Sequence, residues 1–219
     1  MMQAGPERYQ PFFYGPEGRL IQVEYAAEAV SRGSTTVGIR TDRFALLASH
    51  VKPPRELVDP YEKIFEVDDH AGATGSGYIS DMLRLVDELR LESQQYKLTM
   101  GTSIDMFTLA KRLGQYIHEF TLYSVRLPAS SIILAGADQK GVHLYQVDPS
   151  GTFSRGSAFV VGRNSEKALE SVIKGYSKDL TLDQAKQLVA KSVEAAINEK
   201  PLLQLGIVDS TNKTFVKEM

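Results

Sequence analysis

The sequence contains no cysteine, which excludes disulfides, thiolate metal sites and a cysteine nucleophile, and fits an intracellular protein. It also lacks an excess of either charge: 25 Lys and Arg stand against 27 Asp and Glu, with no long basic run. Nucleic acid or an anionic membrane as the main partner would demand concentrated cations, so neither is expected. No apolar run approaches the length of a membrane span. The opening MMQAGPERYQPFFYG has neither a charged start leading into an apolar stretch nor a small-residue cleavage site. The cytoplasm is therefore the expected location. His50, His70, His118 and His143 are scattered and never paired at a metal-ligand spacing, so no metal or cofactor is expected.

What is present is enough for one sizeable core: 219 residues, 42% of them hydrophobic, with no linker dividing them. The expected organisation is a tail over 1–13, unordered until something holds it, and a single domain over 14–219. Tyr14 to Gly33, YGPEGRLIQVEYAAEAVSRG, reads as a short amphipathic helix fenced by Pro16, Gly18 and Gly33, with Leu20, Val23, Ala27 and Val30 at helical spacing. Thr35 to Arg40 and Phe44 to Ser49 then form a hairpin, and His50 to Tyr61, with three prolines, is a loop. Lys63 to Val67 pairs with Ala71 to Thr74, and Gly72, Gly75 and Gly77 close that pair.

A long helix from Tyr78 presents Ile79, Met82, Leu83, Val86 and Leu89. A second, capped by Ser103, presents Phe107, Ala110, Leu113, Ile117 and Phe120. The glycine-rich turn before them lacks the Lys-Ser/Thr of a phosphate-binding loop. The second half repeats the order. Strands flank Asp138 to Gly141, and short strands surround Thr152 and Ala158 to Val161. Asn164 caps a helix carrying Ala168, Leu169, Val172 and Ile173. Thr181 and Gln184 make a capping box for another, with Ala185, Leu188, Val189, Ser192 and Ala196 inward, and the chain closes on strands at Leu203 to Val208 and Thr214 to Val216. Strands then two helices, twice, then strands predicts an α/β fold: a four-layer α/β/β/α sandwich of two antiparallel sheets between helical layers, with an extra N-terminal helix.

The stretch PEGRLIQVEYAAEAVSRGSTTVGI resembles the N-terminal signature of proteasome α-type subunits. Glu62-Lys63-Ile64, Ser76-Gly77, Ile133 to Asp138, Asp148 to Gly151 and Val161-Gly162 follow in that family's order, so the resemblance covers nearly the whole chain and implies the same four-layer sandwich. In catalytic β-type relatives a Thr after a Gly is freed by self-cleavage, and its own α-amine then activates its hydroxyl. A mid-chain amide nitrogen has no basic lone pair for that task. Ser34 stands at this position and Lys63 at that of the family's catalytic lysine. The expected acid is replaced by His50, and the expected Ser-Gly by Arg163-Asn164. Ser34 is accordingly read as an ordinary strand residue, Lys63 as deprived of much of its orienting network, and no residue as catalytic. The alternatives are a hydrolase released at Gly33-Ser34, or an α-like ring without a protease partner.

The resemblance implies a non-catalytic subunit of an outer ring of seven, stacked on β-type subunits. The N-terminal tails would gate the pore, and the C-terminal tails of activating ATPases would dock between neighbouring α subunits. For that docking it implies Lys63, Gly77 and Arg32 around the tail carboxylate, with Gly18 and Glu24 beside the tail's Tyr. For the gate it implies Pro16 and Tyr25, whereas the family's Tyr-Asp pair in the tail is replaced by Glu7-Arg8. Asp68-Asp69 and Asp87-Glu88 read as solvated charge on a turn and a helix face. The chain ends soon after its last strand, where many α-type subunits continue into a helix.

Overall fold

The computed structural model describes residues 14–15, 17–123 and 126–218. The expected gate tail and Pro16 lie outside the described residues. Helix α1 (Ile21–Arg32) is followed by strands β1 (Thr36–Arg40), β2 (Phe44–His50), β3 (Phe65–Asp68) and β4 (Ala71–Gly77), then helices α2 (Ile79–Met100) and α3 (Met106–Tyr123). The second half runs β5 (Ser130–Asp138), β6 (Gly141–Val147), β7 (Phe153–Arg155), β8 (Ala158–Val161), α4 (Ser165–Gly175), α5 (Leu182–Ile197), β9 (Leu203–Asp209) and β10 (Phe215–Glu218).

The strands form two five-stranded sheets, ordered β10-β9-β2-β1-β8 and β3-β4-β5-β6-β7. Every named pairing within them is antiparallel. Between the sheets lies a core containing Leu47, Ile64, Ile133, Leu144, Val208 and Phe215. Helices α2 and α3 cover the second sheet through Met82, Leu85, Leu89, Leu109 and Leu113. Helices α4 and α5 cover the first through Val172, Ala185, Val189 and Val193. This is the expected α/β/β/α sandwich. Among the described residues no helix is long and apolar enough to cross a membrane.

Several helix faces are rotated from those expected. In α1 the buried positions are Ala26 and Val30, with Val23 and Ala29 packed beside Leu127 and Ala129, while Ala27 is exposed. In α2, Leu85 is buried and Leu83 exposed; in α4, Leu169 and Ile173 are exposed and only Ala168 and Val172 are buried. A 3.6-residue period fixes a stripe only to within a neighbouring residue, and the sheet selects which one it covers. Asp105, not Ser103, caps α3: its carboxylate accepts the Thr108 N–H at 3.1 Å and the Thr108 hydroxyl at 2.7 Å. Asn164 precedes α4 in left-handed backbone geometry, but its amide donates to the Ala196 carbonyl instead of capping. The Thr181 and Gln184 capping box is formed as expected.

Strand β4 runs through Gly75, Ser76 and Gly77 instead of stopping at Thr74, because all three pair with β5. A side chain on Gly75 would not fit, since a Cβ there would stand 2.2 Å from the Ser131 carbonyl oxygen. Asp68 is also not solvated. A register shift between Glu66 and Asp68 turns Val67 and Asp68 both inward. There Asp68 accepts the Ser93 hydroxyl and stands 3.6 Å from His70 Nδ1. Burial pushes its carboxyl up, but the Ser93 hydroxyl, the Asp69 N–H and the nearby His70 and Lys97 outweigh it and hold the group below the usual range.

Candidate functional site

The C-terminus of α1 meets the ends of both sheets at Gly33-Ser34. The Gly33 carbonyl accepts the Arg163 N–H at 2.9 Å. The Thr35 hydroxyl donates to the Arg163 carbonyl at 2.8 Å, and the Ser76 hydroxyl to the Val30 carbonyl at 3.1 Å. A Cβ on Gly33 would lie 2.2 Å from Ser76 Oγ and 2.6 Å from Gly77 N, so the helix end fits against β4 only with glycine there. Gly77 itself has φ +123, and a Cβ on it would lie 2.0 Å from the Ala129 carbonyl oxygen.

Lys63 enters this junction just before β3. Its backbone is clamped from both sheets: its N–H donates to Gln204 Oε1 at 2.7 Å, and its carbonyl accepts the Thr74 hydroxyl at 2.7 Å. The side chain is thereby aimed at the α1 end, and Nζ donates to Ser34 Oγ at 2.8 Å. Lys63 is only 7% exposed. No ion pair among the described residues includes it. Burial without a counter-charge lowers its pKa to about 8.

Ser34 also lines a cavity of about 300 Å3, together with Arg32, His50, Lys52, Arg163 and Asn164. The C-terminal end of α5 and the residues just after it also line the cavity, Glu199 being the acidic lining residue. Thus the two departures from the catalytic β-type pattern, His50 and Arg163-Asn164, do surround Ser34. Lys63, expected to lack much of its orienting network, still reaches Ser34, because its backbone N–H donates to Gln204 and its carbonyl accepts from Thr74. The Lys63 position is legible from family order; its contact with Ser34 spans 29 residues and leaves no local signal.

The other expected site residues divide into two groups. Arg32, Lys63 and Gly77 converge on Gly33-Ser34, but the Arg32 side chain is 77% exposed and paired with Glu28 at 3.0 Å. Gly18 and Glu24 belong to the opposite end of α1. Its 12 residues rise about 18 Å at 1.5 Å each, so the structure does not bring them to Lys63. Gly18, at φ +76, makes a tight turn in which its N–H donates to the Gly15 carbonyl at 2.8 Å. Glu24 faces Arg19 at 3.5 Å. Tyr25 is 73% exposed and lines an open groove of about 350 Å3 with Tyr78, Arg126 and Leu127. Among the described residues no cluster of three His, Asp or Glu could hold a metal ion.

Sequence comparison gives the family. The family model described as "Proteasome subunit" matches residues 30–207. "Proteasome subunit alpha" of Methanopyrus kandleri is 34% identical over 202 residues, covering 90% of this chain and 82% of the relative. That of Thermococcus sibiricus is 35% identical over 221 residues, covering 98% and 84%. That of Methanocaldococcus jannaschii is 38% identical over 186 residues, covering 84% and 71%. With a family match over most of its length, an α-type opening helix in place and its lysine held at the sheet junction, the chain belongs to the proteasome subunit family and is of its α type.

Proposed function

We propose that the chain is a ring-forming and gating subunit of a proteasome core particle, without peptidase activity of its own. It assembles with copies of itself or other α subunits, seven to a ring, on a ring of β-type subunits in the cytoplasm. Residues 14–219 act as one domain, and the tail over 1–13 gates the pore together with Pro16 and Tyr25.

The observation that carries the docking role is Lys63, a buried lysine with no carboxylate partner among the described residues, its amine on Ser34 next to the close-packed Gly33 and Gly77 backbones. A terminal carboxylate of an activator tail supplies the missing counter-charge. Because Gly18 and Glu24 occupy the other end of α1, a tail touching both groups must lie between two subunits, one offering Lys63 and Gly77, its neighbour Gly18 and Glu24. Arg32 stands at the rim. The test is Lys63→Ala in the assembled particle. Stimulation of peptide hydrolysis by an activator peptide is expected to vanish with the ring intact, and unchanged stimulation overturns the assignment.

The Lys63 to Ser34 contact also favours a second reading, release at Gly33-Ser34 to free a serine nucleophile. It is distinguished by the denatured mass of the purified chain, which would then lack residues 1–33. Release would strip away α1, whose Ala26 and Val30 are buried against the domain.

A further inference from the structure

Ser34 and Lys63 form a pair that neither ring assembly nor tail docking uses as a pair. The hydroxyl lies 2.8 Å from the amine, and Ser34 lines the cavity of about 300 Å3. The amine is buried, and among the described residues no carboxylate pairs with it. A serine beside a neutral lysine needs no free N-terminus: the side-chain amine takes the hydroxyl proton, the task that the mid-chain amide of Ser34 cannot perform. The cavity lining sets the reagent. Arg32, Lys52 and Arg163 line it against Glu199, so it suits an anionic leaving group.

We propose that Ser34 is an acyl-acceptor site that takes an acyl group from an acyl phosphate, with Lys63 as the base. Ser34 Oγ attacks the carbonyl carbon while its proton passes to Lys63 Nζ. The new bond is the ester Oγ–C, the bond that breaks joins the acyl carbon to the phosphate oxygen, and inorganic phosphate departs with its electron pair. The proton on Nζ then passes to phosphate or water, and the ester remains on Ser34. A lysine depressed to about pH 8 holds about a tenth of its population neutral at pH 7, several hundred times more than one at the ordinary value. Acylation needs the amine and tail docking needs the ammonium, so the two uses of Lys63 exclude each other, and the proposal stands or falls without the docking reading.

The experiment treats the intact purified chain, without activator, with acetyl phosphate, and locates acetyl groups by peptide mapping while phosphate release is followed. The expected result is one acetyl per chain on Ser34, at a rate that rises with pH and levels off above about 8. Ser34→Ala should lose that acetyl. Lys63→Met, which keeps the apolar stem, should acetylate Ser34 at least about tenfold more slowly. Lys63→Arg, which keeps a donor and a charge but cannot serve as base, should do likewise. Acetyl groups confined to surface lysines or placed on Lys63 itself overturn the proposal, as does acylation of Ser34 at the wild-type rate in Lys63→Arg.

Discussion

Gly33 and Gly77 touch backbone to backbone where α1 ends on β4: a Cβ on Gly33 would come within 2.6 Å of Gly77 N. The contact places the helix end, the close of β4 and the Lys63 to Ser34 pair in one small volume. Gly77 is the less replaceable of the two, since φ +123 disfavours any side chain and the Ala129 carbonyl blocks a Cβ. Gly77→Ala should lower the unfolding free energy by at least about 2 kcal/mol. Urea denaturation of the isolated chain measures this, and a loss below about 0.5 kcal/mol would contradict the geometry.

The Asp81 carboxylate is buried and receives two guanidinium bonds from Arg126, at 2.6 and 2.7 Å, and the Ala129 N–H at 2.8 Å. Arg126 is 63% exposed. The two ends of this pair should therefore cost unequally. Asp81→Ala strands the Ala129 N–H but leaves Arg126 in water and should lose about 2 kcal/mol, whereas Arg126→Ala leaves a buried carboxylate without its cation and should lose about 3 to 5 kcal/mol. Equal losses in thermal or urea unfolding would count against this reading.

Three carboxyls share one pH response. Burial raises Asp68, Asp81 and Asp138, but hydrogen bonds and neighbouring cations outweigh it, and each ends below its ordinary value. A depressed folded-state pKa gives stability that is present above the ordinary carboxylate range and is lost as pH falls through it. Unfolding midpoints should drop steeply below about pH 4, and Asp68→Asn should flatten that slope.

Lys63 acts in the opposite range. Its folded pKa is about 8 against an ordinary 10.5, so between these values the unfolded chain binds the proton that the folded chain has released. Stability should rise with pH across that window, by about 3 kcal/mol in all. Lys63→Met should remove the rise and be more stable than wild type at pH 7. An unchanged pH slope in the variant would show that Lys63 is not the group responsible.

The Thr181 and Gln184 capping box offers a local test. Thr181 Oγ1 accepts the Gln184 N–H at 3.3 Å, and Gln184 Oε1 accepts the Thr181 N–H at 2.9 Å. Thr181→Ala should cost about 1 kcal/mol, with helix α5 exchanging its first amides faster by hydrogen exchange.

Features set by neighbours in the chain are legible in the sequence. The capping box, the turn at Gly141 with φ +112, the order of strands and helices and the α-type opening stretch all depend on residues a few positions apart. Their energetics are local, so a linear reading finds them. The rotation of the α1, α2 and α4 faces is not legible there, because neighbouring stripes on a helix are nearly equal in apolarity and the opposing sheet decides between them. Nor is the burial of Asp68, which needs a bulge in β3 and Ser93 from α2.

By itself the sequence determined the four-layer fold, the family and the place of Lys63 in it, since each follows from pattern and order along the chain. Only the tertiary structure decided what Lys63 faces. Its amine reaches Ser34 because Gln204 on β9 and Thr74 on β4 hold its backbone from two sheets, across separations of 141 and 11 residues. Likewise, Gly18 and Glu24 stand apart from Lys63 because a rigid helix lies between them, a distance that the spacing of residues along the chain does not express.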